Sequence, residues 1–314
     1  MEAEHMIRIV AAVLLLVIGA PALAEDYLWE VSSLKNKVYL FGTIHAGKES
    51  WFPLPRAVEA AFEDSKVLVV EADIADPNKI MKSATAMMYP PEDSLQKHVA
   101  MVDYTRFQKL LPRYKVPEAA VLQMKPFMAV SFLVVSEWMR LGFSPDYGVD
   151  AYFLAKARAE LKPIIEIEGV DAQIALMESL SEDENRVIFE GTLTALESGL
   201  TKEQVEEMVG AWQAGDPNAM LKTARKYNDN VKGAAAFEEK FVWGRHDSMM
   251  KKIEGYLSDS RDRHFIAVGA LHLAGPRGLV ELLRKKGYVV KQGGGVAVGT
   301  GITGAAPSGT GSKK

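Results

Sequence analysis

Apolar residues along this chain form two patterns. Short unbroken runs lie near both ends, and a spacing close to 3.6 residues runs through the middle. Val38-Tyr39-Leu40-Phe41 and Val67-Leu68-Val69-Val70 are apolar throughout, as strands buried on both faces are. Tyr27 to Ser33 and Lys37 to Gly42 flank Leu34-Lys35-Asn36 and predict a β-hairpin. Pro55 to Ser65 predicts a helix with Val58, Ala61 and Phe62 on one face. Near the other end, His264 to Val268 predicts a buried strand, Gly275 to Lys286 a helix, and Tyr288 to Lys291 a last strand.

The middle is helical. Tyr104 to Leu111, Lys125 to Leu141, Gly148 to Leu161, Asp171 to Ser179, Asp183 to Leu196, Thr201 to Ala214 and Asp216 to Tyr227 all carry the helical period. Ser181 before Glu184 and Thr201 before Gln204 fit capping boxes. Gly215-Asp216-Pro217 reads as a helix stop and restart. Ala235 to Leu257 reads as one long helix. One strand interrupts this region at Lys162 to Glu168. The expected fold class is therefore α/β: a central mixed sheet made by the N- and C-terminal parts of residues 25–292. A large helical insertion at about 76–257 covers one side as a lid.

The two extremities change that picture. Arg8, the apolar run Ile9 to Ala20, Pro21 and Ala22-Leu23-Ala24 follow the layout of a secretory leader over residues 1–24. Met6 is an alternative start, since Glu2 and Glu4 are unusual in such a leader. Cleavage near Ala24 leaves no stable membrane anchor and predicts a periplasmic or secreted protein. Residues 293–314 are rich in Gly, Ser and Thr and are expected to stay unstructured. At 48% hydrophobic and 25% charged, the 314-residue chain otherwise has ordinary globular proportions. Its formal net charge of −4 shows no basic surplus for nucleic acid. There is no cysteine, so disulfides, thiolate nucleophiles and zinc–cysteine sites are excluded, and any metal must be held by His, Asp or Glu.

Chemistry-bearing residues sit where strands end. Gly42-Thr43-Ile44-His45 and Gly269-Ala270-Leu271-His272 each follow a buried strand, and ligands of α/β sheets bind at the carboxyl ends of strands. One such motif is common by chance, but two at equivalent corners make His45 and His272 candidate bases or metal ligands. Glu71 ends the apolar run Val67 to Val70, where a charge is costly unless a cation meets it. Glu71 and Asp73 would share a side, as would Glu166 and Glu168, with Glu168 at the carboxyl end of the middle strand. Arg245 offers a fork for a carboxylate or a developing oxyanion. His246 and Asp247 should point elsewhere, because helix neighbours do not share a face. Asp150 opens a helix behind Tyr147-Gly148, facing either the cleft or the helix dipole.

Together these segments resemble the TraB/GumN family. The resemblance rests on Gly42-Thr43-Ile44-His45, Val69-Val70-Glu71, Tyr147-Gly148-Val149-Asp150, Ile165 to Gly169 with Gln173, Arg245, and Gly269 to Tyr288. It departs at His246, where the family usually has Asn. The family is similar to the Tiki proteins, metal-dependent proteases acting on Wnt amino termini. It also resembles a wider group that includes erythromycin esterases and haem-binding ChaN-like proteins. Such a resemblance speaks more to fold and site than to a reaction.

The leading expectation is an exported hydrolase of peptides or small amides and esters. The resemblance implies a divalent metal (Mn, Co or Zn) held by His45, Glu71, His272 and Asp150, which would lower the pKa of a bound water. Glu168 is a candidate proton acceptor and Arg245 the oxyanion partner. Two alternatives stay open. One is a metal-free esterase with His45 as base, and the other is a haem- or small-ligand-binding protein without turnover. Oligomeric state and substrate identity are not legible in the residues.

Overall fold

The computed structural model describes residues 26–227, 233–259 and 261–293. The expected leader at 1–24 and all of the expected tail after Gly293 lie outside these residues. In chain order the elements are β1 (Leu28–Ser32), β2 (Lys37–Thr43), α1 (Arg56–Asp64), β3 (Val67–Val70), α2 (Pro77–Ala86), α3 (Met101–Leu110), α4 (Pro126–Arg140), α5 (Val149–Ala159) and β4 (Ile164–Glu166). They continue with α6 (Val170–Glu178), α7 (Glu182–Ser198), α8 (Leu200–Gln213), α9 (Pro217–Lys226), α10 (Ala234–Phe241), α11 (His246–Asp259), β5 (His264–Gly269), α12 (Leu279–Lys285) and β6 (Val289–Gln292).

One six-stranded mixed sheet runs in the order β4-β3-β5-β2-β1-β6. The four strands β4, β3, β5 and β2 are mutually parallel, so their carboxyl ends share one edge. The hairpin partner β1 is antiparallel to β2, and β6 is antiparallel to β1. In the central pair Thr43 stands beside Gly269, which brings the two Gly-x-x-His corners side by side. Every residue of β3, and β2 from Val38 onward, is buried, as their unbroken apolar runs require.

Helices α1 and α5 pack Phe62 and Phe153 onto the sheet. Phe153 lies 4.7 Å from Phe265 and 5.6 Å from Phe41, and Phe62 lies 5.5 Å from Phe265, ring centre to ring centre. Met249, Ile253 and Leu257 of α11 join the same core at four-residue spacing. A second core forms away from the sheet, where Tyr104 and Phe107 of α3, Leu133 of α4, and Phe189 and Leu193 of α7 meet. The helical stretch therefore holds itself together in part, while its helices α5, α8 and α11 pack on the main core.

The helix ends show which local signals prevailed. Ser181 and Glu184 form the capping box that opens α7, and Asp216 accepts from the N–H groups of Asn218 and Ala219 to open α9. Thr201 makes no such box. Gly199, with a positive φ of 77°, turns α7 directly into α8, whose N-cap has no side-chain bond. The long helix expected over Ala235 to Leu257 is two helices, separated at Val242 (φ −120°, ψ −71°) by a 3-10 turn over Trp243–Arg245. Among the described residues, no helix is long and apolar enough to cross a membrane.

Phe265 is fully buried among three other rings. Phe265→Ala is expected to lower unfolding free energy by about 3–5 kcal/mol, measured by urea denaturation at constant m-value. A loss under 1 kcal/mol would mean that the ring cluster does not organise the sheet face.

Candidate functional site

The carboxyl edge of the parallel strands supplies most of the site. Past β2, the chain turns at Ile44, and the Ile44 carbonyl accepts the Val149 N–H at 2.9 Å. This bond draws the start of α5 against the first His corner. Gly148 permits the approach, because a Cβ there would stand 2.5 Å from the His45 carbonyl oxygen. Asp150 then faces the corner from the first turn of α5. Its Oδ1 accepts the Thr43 hydroxyl at 2.6 Å, and its Oδ2 meets His45 Nδ1 at 2.8 Å. Gly42 plays the same part between the corners, since a Cβ there would stand 3.1 Å from the Ala270 Cα and overlap the Tyr27 ring. Trp212 of α8 donates its indole N–H to the Gly42 carbonyl at 2.7 Å, a support that no sequence motif signalled.

Behind His45 lies a buried charge cluster. Glu71 follows β3, Glu168 lies two residues past β4, and His272 sits in the 3-10 turn over Ala270–Leu273 after β5. All three converge on Arg245. The Arg245 Nη2 group pairs with both Glu71 Oε2 and Glu168 Oε2. Its Nε donates to Glu168 Oε1 at 2.9 Å, and its Nη1 donates to the Phe241 carbonyl at 2.9 Å and to His272 Nε2 at 3.0 Å. A guanidinium has five N–H donors, and these contacts engage all five. Arg245 therefore has no free donor for an oxyanion, which corrects that reading of its role.

His246 corrects another. It was expected to point away from its neighbour, but the break at Val242 places it at the first residue of α11 rather than mid-helix. It is buried, with Nδ1 2.8 Å from the Arg277 carbonyl and Nε2 3.0 Å from His272 Nδ1. A carbonyl only accepts, so neutral His246 carries its proton on Nδ1 and accepts at Nε2. His272 then carries its proton on Nδ1 and turns the Nε2 lone pair toward Arg245. The adjacency to Arg245 and the departure from Asn were the only signals of this role in the residues.

Two expected pairings separate. Glu166 accepts the Asp73 N–H at 2.7 Å and pairs with Lys79 at 2.6 Å, whereas Glu168 turns inward to Arg245. The strand stops at Glu166, and the Glu168 and Gly169 N–H groups bond back to the Glu71 carbonyl at 3.1 and 2.9 Å. The period-2 argument ends with the strand. Asp73 pairs with Arg158 instead of joining Glu71. Gln173 reaches Glu71 Oε2 only at 3.5 Å. The other two histidines among the described residues lie outside the cluster. His98 stacks on Tyr89 and pairs with Asp93, and His264 stacks on Tyr256.

Proton affinities follow from these surroundings. The Asp150 carboxylate beside Nδ1 holds the His45 imidazole up at about 9. Burial pushes the Glu71 carboxyl up, but Arg245, the charged His45 and the Gly269 N–H hold it below the usual carboxylate range. Burial pushes His272 down to about 3, so it is neutral, and burial also lowers His246. The side chain of His45 is 73% exposed, against 12% for Glu71, 8% for Glu168 and 5% for His272. His45 is the cluster's face toward solvent.

The expected metal ligands do not fit a metal ion as they stand. Asp150 and His45 Nδ1 are engaged with each other, and Glu71 and His272 face the guanidinium. Among the described residues, no three His, Asp or Glu side chains are arranged so that they could hold one.

An α/β protein with two His-bearing strand corners over an Arg-bridged carboxylate pair is the class that this fold and site define. The chain belongs to the TraB/PrgY/gumN family, whose model matches residues 27–292. It is similar to the uncharacterized protein YbaP of Escherichia coli (strain K12), 23% identical over 83% of this chain and 94% of that protein. It is also similar to the metalloprotease TIKI2 of Xenopus tropicalis, 22% identical over 87% of this chain but only 61% of TIKI2. The metalloprotease TIKI1 of Danio rerio is 22% identical over 85% of this chain and 63% of TIKI1. This chain thus spans less than two thirds of either TIKI protein. No solved structure matches it.

Two outcomes test the site. Arg245→Met leaves Glu71 and Glu168 buried without their cation, so unfolding free energy should fall by about 3–5 kcal/mol, read by chemical denaturation at neutral pH. For His45, a folded-state value near 9 against 6.5 unfolded means a stabilising contribution that is full below pH 6.5 and lost as pH rises through about 9. In an NMR titration, Asp150→Asn should bring the His45 midpoint down toward 6.5; an unmoved midpoint would detach Asp150 from that role.

Proposed function

We propose that this protein is a hydrolase of peptide bonds or of small amides and esters, with His45 as the proton-transfer group. The observation that carries this reading is the Asp150–His45 pair. Asp150 fixes Nδ1 at 2.8 Å and leaves Nε2 open in the only strongly exposed side chain of the cluster. Such a carboxylate-oriented imidazole is a general base once neutral. Nε2 takes a proton from water as the water oxygen bonds to the carbonyl carbon, and returns it to the leaving nitrogen or oxygen as the C–N or C–O bond breaks. Thr43 positions Asp150 from the buried side. Glu71, Glu168, His272 and Arg245 form the rigid wall behind.

The TIKI relatives are named metalloproteases, which supports peptide-bond hydrolysis as the reaction class and a divalent cation (Mn, Co or Zn) as a candidate cofactor. Because the donors here face Arg245, the steps above pass through no metal. A leader at 1–24 would put the activity in the periplasm or outside the cell.

A second reading, a small-ligand-binding protein without turnover, is favoured by one observation. An apolar cavity of about 600 Å³ lies between α4, α7, α8 and α9, walled by Trp138, Ile188, Met208, Trp243 and Leu271. It adjoins the His272 turn, yet none of the titratable side chains of the cluster lines it. Haem or a hydrophobic dye binding there with no hydrolysis of any substrate would favour this reading.

For the hydrolase, a fluorogenic peptide or ester library identifies a substrate, and kcat/KM is then followed against pH. A base with a raised affinity works only when deprotonated, so kcat/KM should climb about tenfold per pH unit and level near 9. His45→Ala should lower it by about 10²–10⁴-fold. A fall in rate from pH 7 to 9, or full activity in His45→Ala, would overturn His45 as the base.

A further inference from the structure

The proton-transfer scheme makes no use of the apolar cavity of about 600 Å³ between α4, α7, α8 and α9. Among the described residues, buried apolar side chains gather in three clusters, and the cavity lies where they meet. Trp138 and Met208 reach it from the sheet's core, Ile188 from the helical core, and Leu221 and Trp243 from a third, small cluster. Leu271, also in its wall, packs against the first and the third. The volume falls within the roughly 300–1,000 Å³ typical of small-molecule pockets. An apolar space of about 150 Å³ already takes up benzene.

Charge narrows the ligand. The charged residues described in the lining are Asp183, Glu184, Arg186 and Glu238, and each has a partner in the protein. Arg186 pairs with Asp183 at 2.9 Å, and Glu184 with Lys240 at 2.8 Å. Glu238 pairs with Arg225 at 2.8 Å and accepts the Trp243 indole N–H at 2.7 Å. A carboxylate or ammonium entering here would have to break one of these pairs to be neutralised. Thr192, Thr201 and Gln204 add hydroxyl and amide groups to the wall, which suit a neutral hydroxyl or carbonyl.

We infer that this cavity is a second binding site, and that its ligand is an uncharged aliphatic molecule with one hydroxyl or carbonyl, such as a long-chain alcohol or neutral ester. Covering the apolar wall drives binding, and the paired charges select against an acid or amine on the same chain. This assignment deepens the ligand-binding reading of the cavity and is compatible with turnover at His45, since no side chain of the charge cluster lines the wall. Binding here and hydrolysis at His45 therefore fail separately.

In the test, the full chain is titrated with the neutral dye phenylnaphthylamine, which fluoresces in apolar surroundings. The bound dye is then displaced at neutral pH by decanol, decanoate or decylammonium. Saturation at one dye per chain is expected, with decanol displacing it at concentrations at least tenfold below those of the two charged chains. Ala195→Phe/Ala224→Phe fills the cavity from α7 and α9 and should weaken dye binding at least tenfold. Should that variant not fold, each single substitution is measured alone and should also weaken binding. His45→Ala should bind the dye as wild type does. No saturable binding, or undiminished binding by the filled variants, overturns the site. Displacement by either charged chain as readily as by decanol overturns the uncharged ligand. A tenfold loss in His45→Ala would move the dye to the cleft and overturn the assignment as well.

Discussion

Two carboxylates below a protein surface stay ionised side by side only when a cation lies between them. In this protein the cation is Arg245, bridging Glu71 and Glu168. The geometry around it follows from that constraint. Arg245 has to arrive from outside the sheet with its fork aimed at two strand ends, and an unbroken helix from Ala234 to Asp259 could not deliver it there. The chain breaks at Val242, spends three residues in a 3-10 turn, and restarts at His246. That same break sets His246 against His272, so one local distortion positions both the charge and the histidine relay.

The corners work by close approach. Gly42 and Gly148 have no Cβ where one would strike a neighbouring backbone or ring. The first allows the two His corners to touch, and the second lets the start of α5 deliver Asp150 to His45. Parallel register does the rest, because Thr43 beside Gly269 sets the two turns at one height on the sheet. The result is a graded cleft, with a charged cluster at the back and one imidazole toward water. Membership of the TraB/PrgY/gumN family accords with these corners, which carry the motifs by which the chain resembles it.

Much of this was legible in the residues. The apolar runs at Val38 to Phe41 and Val67 to Val70 could only be buried strands, and both are. Repetition of Gly-x-x-His at two strand ends marked His45 and His272, and the structure brings both to one edge. Glu71 was marked by the cost of a charge at the end of an apolar run, and it meets a cation as that cost demands. Where sequence reasoning went astray, it extended a periodicity past the end of its element. Glu166 and Glu168 were paired by the two-residue period of a strand that stops at Glu166. His246 was sent away from Arg245 by helix geometry that does not hold across the break.

The sequence by itself determined the class of fold, the strands that carry the site, and the identity of most residues in it, because burial and backbone conformation leave their mark on local composition. Partnership was decided by the tertiary structure alone. Asp150 belongs to His45, Arg245 spends all five donors on its neighbours, and His246 holds the His272 tautomer. These pairings join residues up to 174 positions apart. No local pattern encodes them, since which charge meets which is settled only when strand ends and helix starts converge in space.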